Sequence, residues 1–360
     1  MMLEFCHYYH QPVSLTAHGV QLGSFTLGSR DTLAGLPFGI SISGRELHAA
    51  LAAYERQSGG GYRPQLAALA FFHSGQPALM NSYFPLLRAL DAAAQAEFHA
   101  LVQSVAAHHN FDLRLYGERG HDCTHTLPRD ARWLVAGQIV EVLFYRRDLL
   151  ARLFASPRAF WLYTTPRAFA EAGGVAGGCY NAATGAVQLL LARVYEGFYA
   201  PTPGVAPLLH EFGHMLDHFD AGRGECRQSS GLLPGMRPTD GACYTPRARA
   251  RFLEGKRLEL ARYIRCCAGF MLGDDLPIGH PYVFQNDTEF IAGYFELFFR
   301  SPHAFAAMNP ALFGGFSALF GYDPRAGWAA DFTFYIDENR RYYLSGQRPP
   351  PAGITLPPDA

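Results

Sequence analysis

His210, Glu211 and His214 stand in the stretch "LLHEFGHMLDHFD", in the pattern H-E-x-x-H. Two imidazoles one helical turn apart can both reach a zinc ion at roughly 2.0–2.1 Å. A glutamate beside the first of them can hold and deprotonate a water at the ion without being a ligand itself. At about 100° per residue, Leu208, Phe212, Met215 and Phe219 share one stripe, and His210, His214 and Asp217 share the opposite one. Such a stripe seats a helix on a core and turns both imidazoles to a common point. A surface helix with its polar side outward would use the same residue types, so the chemistry depends on a third ligand from elsewhere.

Three places offer one. Asp220 lies where the extended pattern H-E-x-x-H-x-x-G-x-x-H/D puts its last ligand, but the glycine that pattern needs for a sharp turn is Asp217 here. His218 is one further turn along and points nearer to Glu211 than to the shared ligand side. Downstream, in "NDTEFIAGYFELFFRSP", Glu289, Gly293, Glu296 and Arg300 fall on one face of an otherwise largely apolar helix. Two acids on a narrow face of a buried helix are costly without cationic partners, and a metal ion is one such partner. The structural alternative is a capping box from Asn286 to Glu289, with Glu296 paired to Arg300. Glu289 is the favoured ligand and Glu296 the alternative. In "HDCTH", His121, Cys123 and His125 are close together, but alternate residues of an extended strand rarely close a tetrahedral site, and a polar loop is the simpler reading.

The elements that must position these groups read as follows. Short alternating runs such as "GVQLGSFTLGS" predict strands in residues 1–45, and "GRELHAALAAYERQ" predicts a helix. Helical periodicity runs from Pro85 to about His109 and again over "PRDARWLVAGQIVEVLFY". "RAFWLYTT" reads as a strand, and "GGCYNAATGAVQLLLARV" as a hairpin turning at Asn181–Gly185. After the motif helix come a Gly/Pro-rich loop at 221–246, a helix from "PRARARFLEGKRLELARYIRCCAGF", the downstream acidic helix, and a proline-rich segment read as an extended tail.

The chain has 360 residues, enough for a substantial core, with a formal net charge of −1 that gives no electrostatic case for nucleic acid or an anionic membrane. The N-terminus has no basic stretch followed by an apolar one, and no apolar run reaches the roughly 18 residues of a membrane span. Seven cysteines without regular spacing read as reduced thiols of a cytoplasmic protein. Cys226 and Cys243 could pair if the protein were exported.

On "LLHEFGHMLD" and "DTEFIAGYFELFFRSP" the chain resembles the MtfA-like zinc metallopeptidases, relatives in their catalytic core of the anthrax lethal factor protease. More loosely the resemblance runs from about Pro85 to Asp323. It implies an α+β, zincin-like peptidase core, mostly helical with a small mixed sheet and an edge hairpin. That core would cover residues 85–325, between a β-rich extension at 1–84 and a proline-rich tail at 326–360. It implies one zinc ion on His210, His214 and Glu289, with Glu211 as general base. It also implies Tyr282, seven residues before Glu289, as stabiliser of the oxyanion, and Asp217 and Glu296 as residues that orient the ligands. The substrate would be a peptide or protein, laid extended along the hairpin. A regulatory role, binding a transcription factor or another partner, and an exported toxin or effector protease are the rival readings. The interval from His214 to Glu289 looks longer than in bacterial members, and the 221–246 loop accounts for the difference.

Overall fold

The computed structural model describes residues 2–3, 13–16, 19–22, 25–27, 84–127, 129–174, 177–191, 193–194, 197, 206–270, 275–327, 331 and 334–357. Four short strands, β1 (Met2–Leu3), β2 (Val13–Thr16), β3 (Gly19–Leu22) and β4 (Phe25–Leu27), pair antiparallel in that order. The helix expected from "GRELHAALAAYERQ" lies outside the described residues.

The helical run expected from Pro85 is two helices, α1 (Pro85–Ala89) and α2 (Ala92–Ala107). Leu90 is extended, and Asp91 caps the second helix by accepting a hydrogen bond from the Ala94 amide at 2.8 Å. Strand β5 (Phe111–Tyr116) follows, then α3 (Arg129–Leu143), α4 (Arg147–Leu153), β6 (Arg158–Tyr163) and α5 (Pro166–Glu171). The expected hairpin is β7 (Gly178–Asn181) and β8 (Ala186–Leu190), turned by Asn181, whose side chain accepts from the amides of Ala183 and Thr184. The sheet has the order β5-β6-β8-β7, with β5, β6 and β8 parallel and β7 antiparallel at its edge. Ala186 through Leu189 are all buried, as befits a strand covered on both faces.

The motif helix α6 (Pro207–His218) packs against β7 and β8 on one side. After the short pair β9 (Phe219–Asp220) and β10 (Glu225–Cys226) comes α7 (Pro246–Cys267), then α8 (Asp287–Arg300), which crosses α6. Helices α9 (Pro302–Met308) and α10 (Pro310–Phe320) complete an aromatic core in which Phe212 meets both Phe160 of the sheet and Phe295 of α8. The fold is thus a mostly helical α+β arrangement with one small mixed sheet. No described helix is long and apolar enough to cross a membrane, and Cys226 and Cys243 are not joined in a disulfide.

One reading is corrected. The C-terminal stretch read as an extended tail contains α11 (Phe334–Leu344), with Asn339 and Tyr343 buried, and the irregular segment after it buries Ile354. The 221–246 loop is packed into the fold. It buries Leu232, Leu233 and Met236, and Arg237 binds the carbonyls of Asp217 and Phe219 at 2.6 and 2.7 Å, where α6 ends. That guanidinium satisfies main-chain acceptors which a helix C-terminus leaves open.

The α6–α8 crossing sets the distance between the two motifs. A β-carbon at Gly213 would stand 3.1 Å from Ala292 Cα, so the helices meet backbone to backbone. Gly213→Val is expected to cost about 1–3 kcal/mol by overpacking and to weaken metal binding in parallel. Urea midpoints and metal titration of the two proteins check this; a variant of unchanged stability and affinity would show that the crossing has slack.

Candidate metal centre

Helix α6 is buried almost all round, because β7 and β8 cover one side and α8 the other. Its start has no side-chain cap of its own: Ala206 occupies the cap position, and its amide is bound at 2.6 Å by the Glu296 carboxylate, reaching over from α8. The second Glu296 oxygen lies 3.6 Å from His210 Nδ1. One acid therefore fixes both the helix start and the ring of the first histidine.

On the other side of that ring, His210 Nε2 is 3.2 Å from Glu289 Oε2, and His214 Nε2 is 3.5 Å from the same oxygen. The Asn286 side chain caps α8 through the Glu289 amide, as the capping alternative expected, while the Glu289 carboxylate faces the histidines. Ligand atoms of His210, His214 and Glu289 lie within 4.8 Å of one another, and among the described residues no other group of three histidine, cysteine or acidic side chains does so. Two imidazoles and one carboxylate suit a borderline divalent ion such as zinc. Glu211 Oε2 is buried without a protein hydrogen-bond partner, which also fits a site that takes up a further polar group.

Glu211 packs against the edge strand. The Tyr180 amide hydrogen-bonds its carboxylate, and a β-carbon at Gly178 would come within 2.9 Å of Glu211 Oε1. Burial, helped by the charges of Glu289 and Glu296 and opposed by His210, pushes the Glu211 carboxyl up to about 7. Burial disfavours charge on His210 too, but the carboxylates of Glu289 and Glu296 outweigh it and raise the imidazole to about 10. Glu289 is correspondingly held far below the usual carboxylate range: burial opposes this, and the two histidines overcome it.

Tyr282 sits in a 3₁₀ turn, Pro281–Phe284, just before α8, and is half exposed. Burial of its ring side and the adjacent Glu289 carboxylate hold its proton on, above the usual tyrosine value. Together with His210, Val283, Glu296 and Leu297, Tyr282 lines a cavity of about 500 Å³.

The remaining sequence candidates fall elsewhere. Asp217 is fully buried, accepts a hydrogen bond from the Thr288 hydroxyl of α8 and acts electrostatically on His214, while Glu296 lies 3.6 Å from His210 Nδ1. His218 leans on its own helix, with Nδ1 2.9 Å from the His214 carbonyl and its ring on Tyr180. Asp220 binds the Arg223 amide in the turn after α6. His121, Cys123 and His125 do not converge as ligands. Arg300 pairs with Glu141 at 3.6 Å and Gln138 at 3.1 Å, both on α3, rather than with Glu296. Sequence reasoning missed the Tyr180 amide, which is a main-chain group, and the contribution of α11 to the cavity through Tyr335, Glu338 and Asn339.

The profile of the family described as glucose-regulated metallo-peptidase M90 matches residues 62–321. The chain belongs to this family, the MtfA family. It is therefore a metallopeptidase, a hydrolase acting on peptide bonds. No curated protein matches the chain. The matched span contains α6, the Tyr282 turn and α8, and it starts before and ends close to the limits the resemblance suggested.

Because the His210 pKa is raised above its ordinary 6.5, its pairing with Glu289 and Glu296 stabilises the metal-free protein fully below about 6.5 and fades as pH climbs through about 10. A metal needs this imidazole neutral. Metal uptake by the peptidase at about pH 8 is therefore expected to release close to one proton per ion, measurable by calorimetry in buffers of different ionisation enthalpy. Uptake with no proton release would contradict the charged His210.

Proposed function

We propose that the chain is a zinc-dependent peptidase with a zincin-like core, in which His210, His214 and Glu289 hold one zinc ion, Glu211 is the general base and Tyr282 stabilises the oxyanion. The convergence of the three ligand atoms beside the buried Glu211 carries this reading. When bound, zinc supplies Lewis acidity, polarising the scissile carbonyl and making water easier to deprotonate.

The protein's own groups divide the rest of the work. With its carboxyl near neutrality, Glu211 accepts a proton from the attacking water and passes it to the leaving nitrogen, since either direction of transfer is accessible near pH 7. The Tyr180 amide holds the Glu211 carboxylate, and its Oε2 is left without a protein partner. Tyr282 keeps its proton under these conditions, so it donates a hydrogen bond to the developing oxyanion. Glu296 keeps the His210 ring in one orientation, the part that outer carboxylates play behind ligand imidazoles. Strand β7 is the sheet edge, and its Tyr180 amide reaches Glu211. A peptide added as a further extended strand along that edge lies beside the base.

Glu211→Gln is expected to keep its zinc and to lose at least about a hundredfold in peptide hydrolysis, the range of general acid–base contributions. Glu289→Ala should lose the ion instead. Zinc stoichiometry and a peptide-cleavage assay on both proteins and the wild type distinguish the roles. Undiminished hydrolysis by Glu211→Gln would remove Glu211 as the base, and tight zinc binding by Glu289→Ala would move the third ligand elsewhere.

A further inference from the structure

The family match ends at residue 321, yet α11 beyond it reaches the centre. Ile278 and Gly279, four and three residues before Tyr282, have all four of their polar main-chain groups bound by side chains. Glu259 of α7 accepts from the Ile278 amide at 2.8 Å, and the Tyr294 hydroxyl of α8 accepts from the Gly279 amide at 3.1 Å. Both carbonyls are taken by α11: Asn339 Nδ2 donates to Ile278 at 2.7 Å, and the Tyr343 hydroxyl donates to Gly279 at 2.8 Å. Glu259, Tyr294 and Tyr343 have no exposed surface, and Asn339 has 4%. Tyr342 of the same helix packs its ring edge-on against His280, whose Nδ1 accepts from the Tyr282 amide at 3.2 Å.

The irregular segment after α11 continues along the same stretch. Gly353 donates to the Phe284 carbonyl at 2.8 Å, and Thr355 binds the Asp287 carboxylate through its amide and hydroxyl at 3.0 and 2.6 Å. Asp287 is the first residue of α8, two before Glu289, and it also holds the buried Lys256 ammonium at 2.6 Å. Residues 334–357 thus touch the chain on both sides of Tyr282, and Tyr335, Glu338 and Asn339 form a wall of the cavity that Tyr282 and His210 share.

A loop ordinarily leaves its main-chain groups to water. Burying two side-chain donors to serve two loop carbonyls is costly unless every bond is made, and it yields a stretch with one geometry. We propose that Asn339 and Tyr343 are positioning residues for catalysis: by fixing Ile278 and Gly279 they set the place of the Tyr282 hydroxyl at the reacting carbonyl. The C-terminal segment is then a working part of the peptidase although it lies outside the family match. This inference rests on the role proposed for Tyr282.

The test is a double-mutant cycle on the full-length zinc-loaded protein, with Tyr343→Phe, Tyr282→Phe and the pair. Tyr343→Phe deletes one hydroxyl and keeps the ring. It is expected to lower kcat by about tenfold, because small displacements of a catalytic group carry losses of that order and more, with KM and zinc stoichiometry unchanged. In the Tyr282→Phe background the same substitution should have no further effect on kcat, as for residues acting through one group. Asn339→Ala serves as the second probe, with the same dependence on Tyr282. Equal losses in both backgrounds would mean that α11 only stabilises the fold, and an unchanged kcat in Tyr343→Phe would likewise overturn the inference while leaving Tyr282 in place. A fully active Tyr282→Phe would instead overturn the role of Tyr282, and the positioning with it, while the Glu211→Gln result still stands for the zinc chemistry.

Discussion

Three carboxylates, Glu211, Glu289 and Glu296, meet two imidazoles in a space closed by two helices and a strand. Burying that many acids together is unfavourable unless positive charge sits among them. In the metal-free protein the charge is a proton on His210, which is why that imidazole is held so basic and Glu289 so acidic. A divalent ion meets the same demand with the same atoms. The site is therefore prepared for a cation by its electrostatics as well as by its geometry, and neutralising either glutamate partner of His210 alters both.

That balance requires α6 and α8 to stay in fixed register, and the contacts at the ends of α6 come from outside the helix. Glu296 serves its start, and Arg237 serves the carbonyls where it finishes. The sheet supplies the remaining side, with Glu211 against β7, where a β-carbon at residue 178 would crowd Leu189 Cδ2 at 2.6 Å and Glu211 Oε1 at 2.9 Å. Positioning therefore falls mostly to groups outside the His210, His214 and Glu289 cluster: an acid from a neighbouring helix, a cation from a loop and an amide from an edge strand.

Much of this was legible in the sequence, for identifiable reasons. Helices α6 and α8 each combine an apolar stripe with a narrow acidic or imidazole face, so periodicity located them and face analysis brought Glu289 forward as the candidate that the fold sets beside His210 and His214. The hairpin carried its own turn chemistry at Asn181–Gly185. What could not be read was set by distant chain. Nothing local tells that β8 lies parallel to β6, or that Arg300 turns away from Glu296 to meet Glu141. Helix α11 was missed because its buried face is built from Asn339 and Tyr343, whose reason for burial is a pair of carbonyls elsewhere. A search for apolar periodicity passes over such a helix. The position of Glu296 was visible, while its double use on Ala206 and His210 was not.

Arg237 gives the 221–246 loop a meaning its composition hides. Rich in glycine and proline, the stretch has the look of spare length that could be trimmed. Its guanidinium nevertheless holds the last carbonyls of the helix that carries both histidines, from a point about twenty residues further along the chain. Shortening this loop in an engineered version would strip those carbonyls of their donor and let the end of α6 fray toward His214. A shorter relative must find another cap for the same helix, so loop length and helix ending would have to change together as the family diverged.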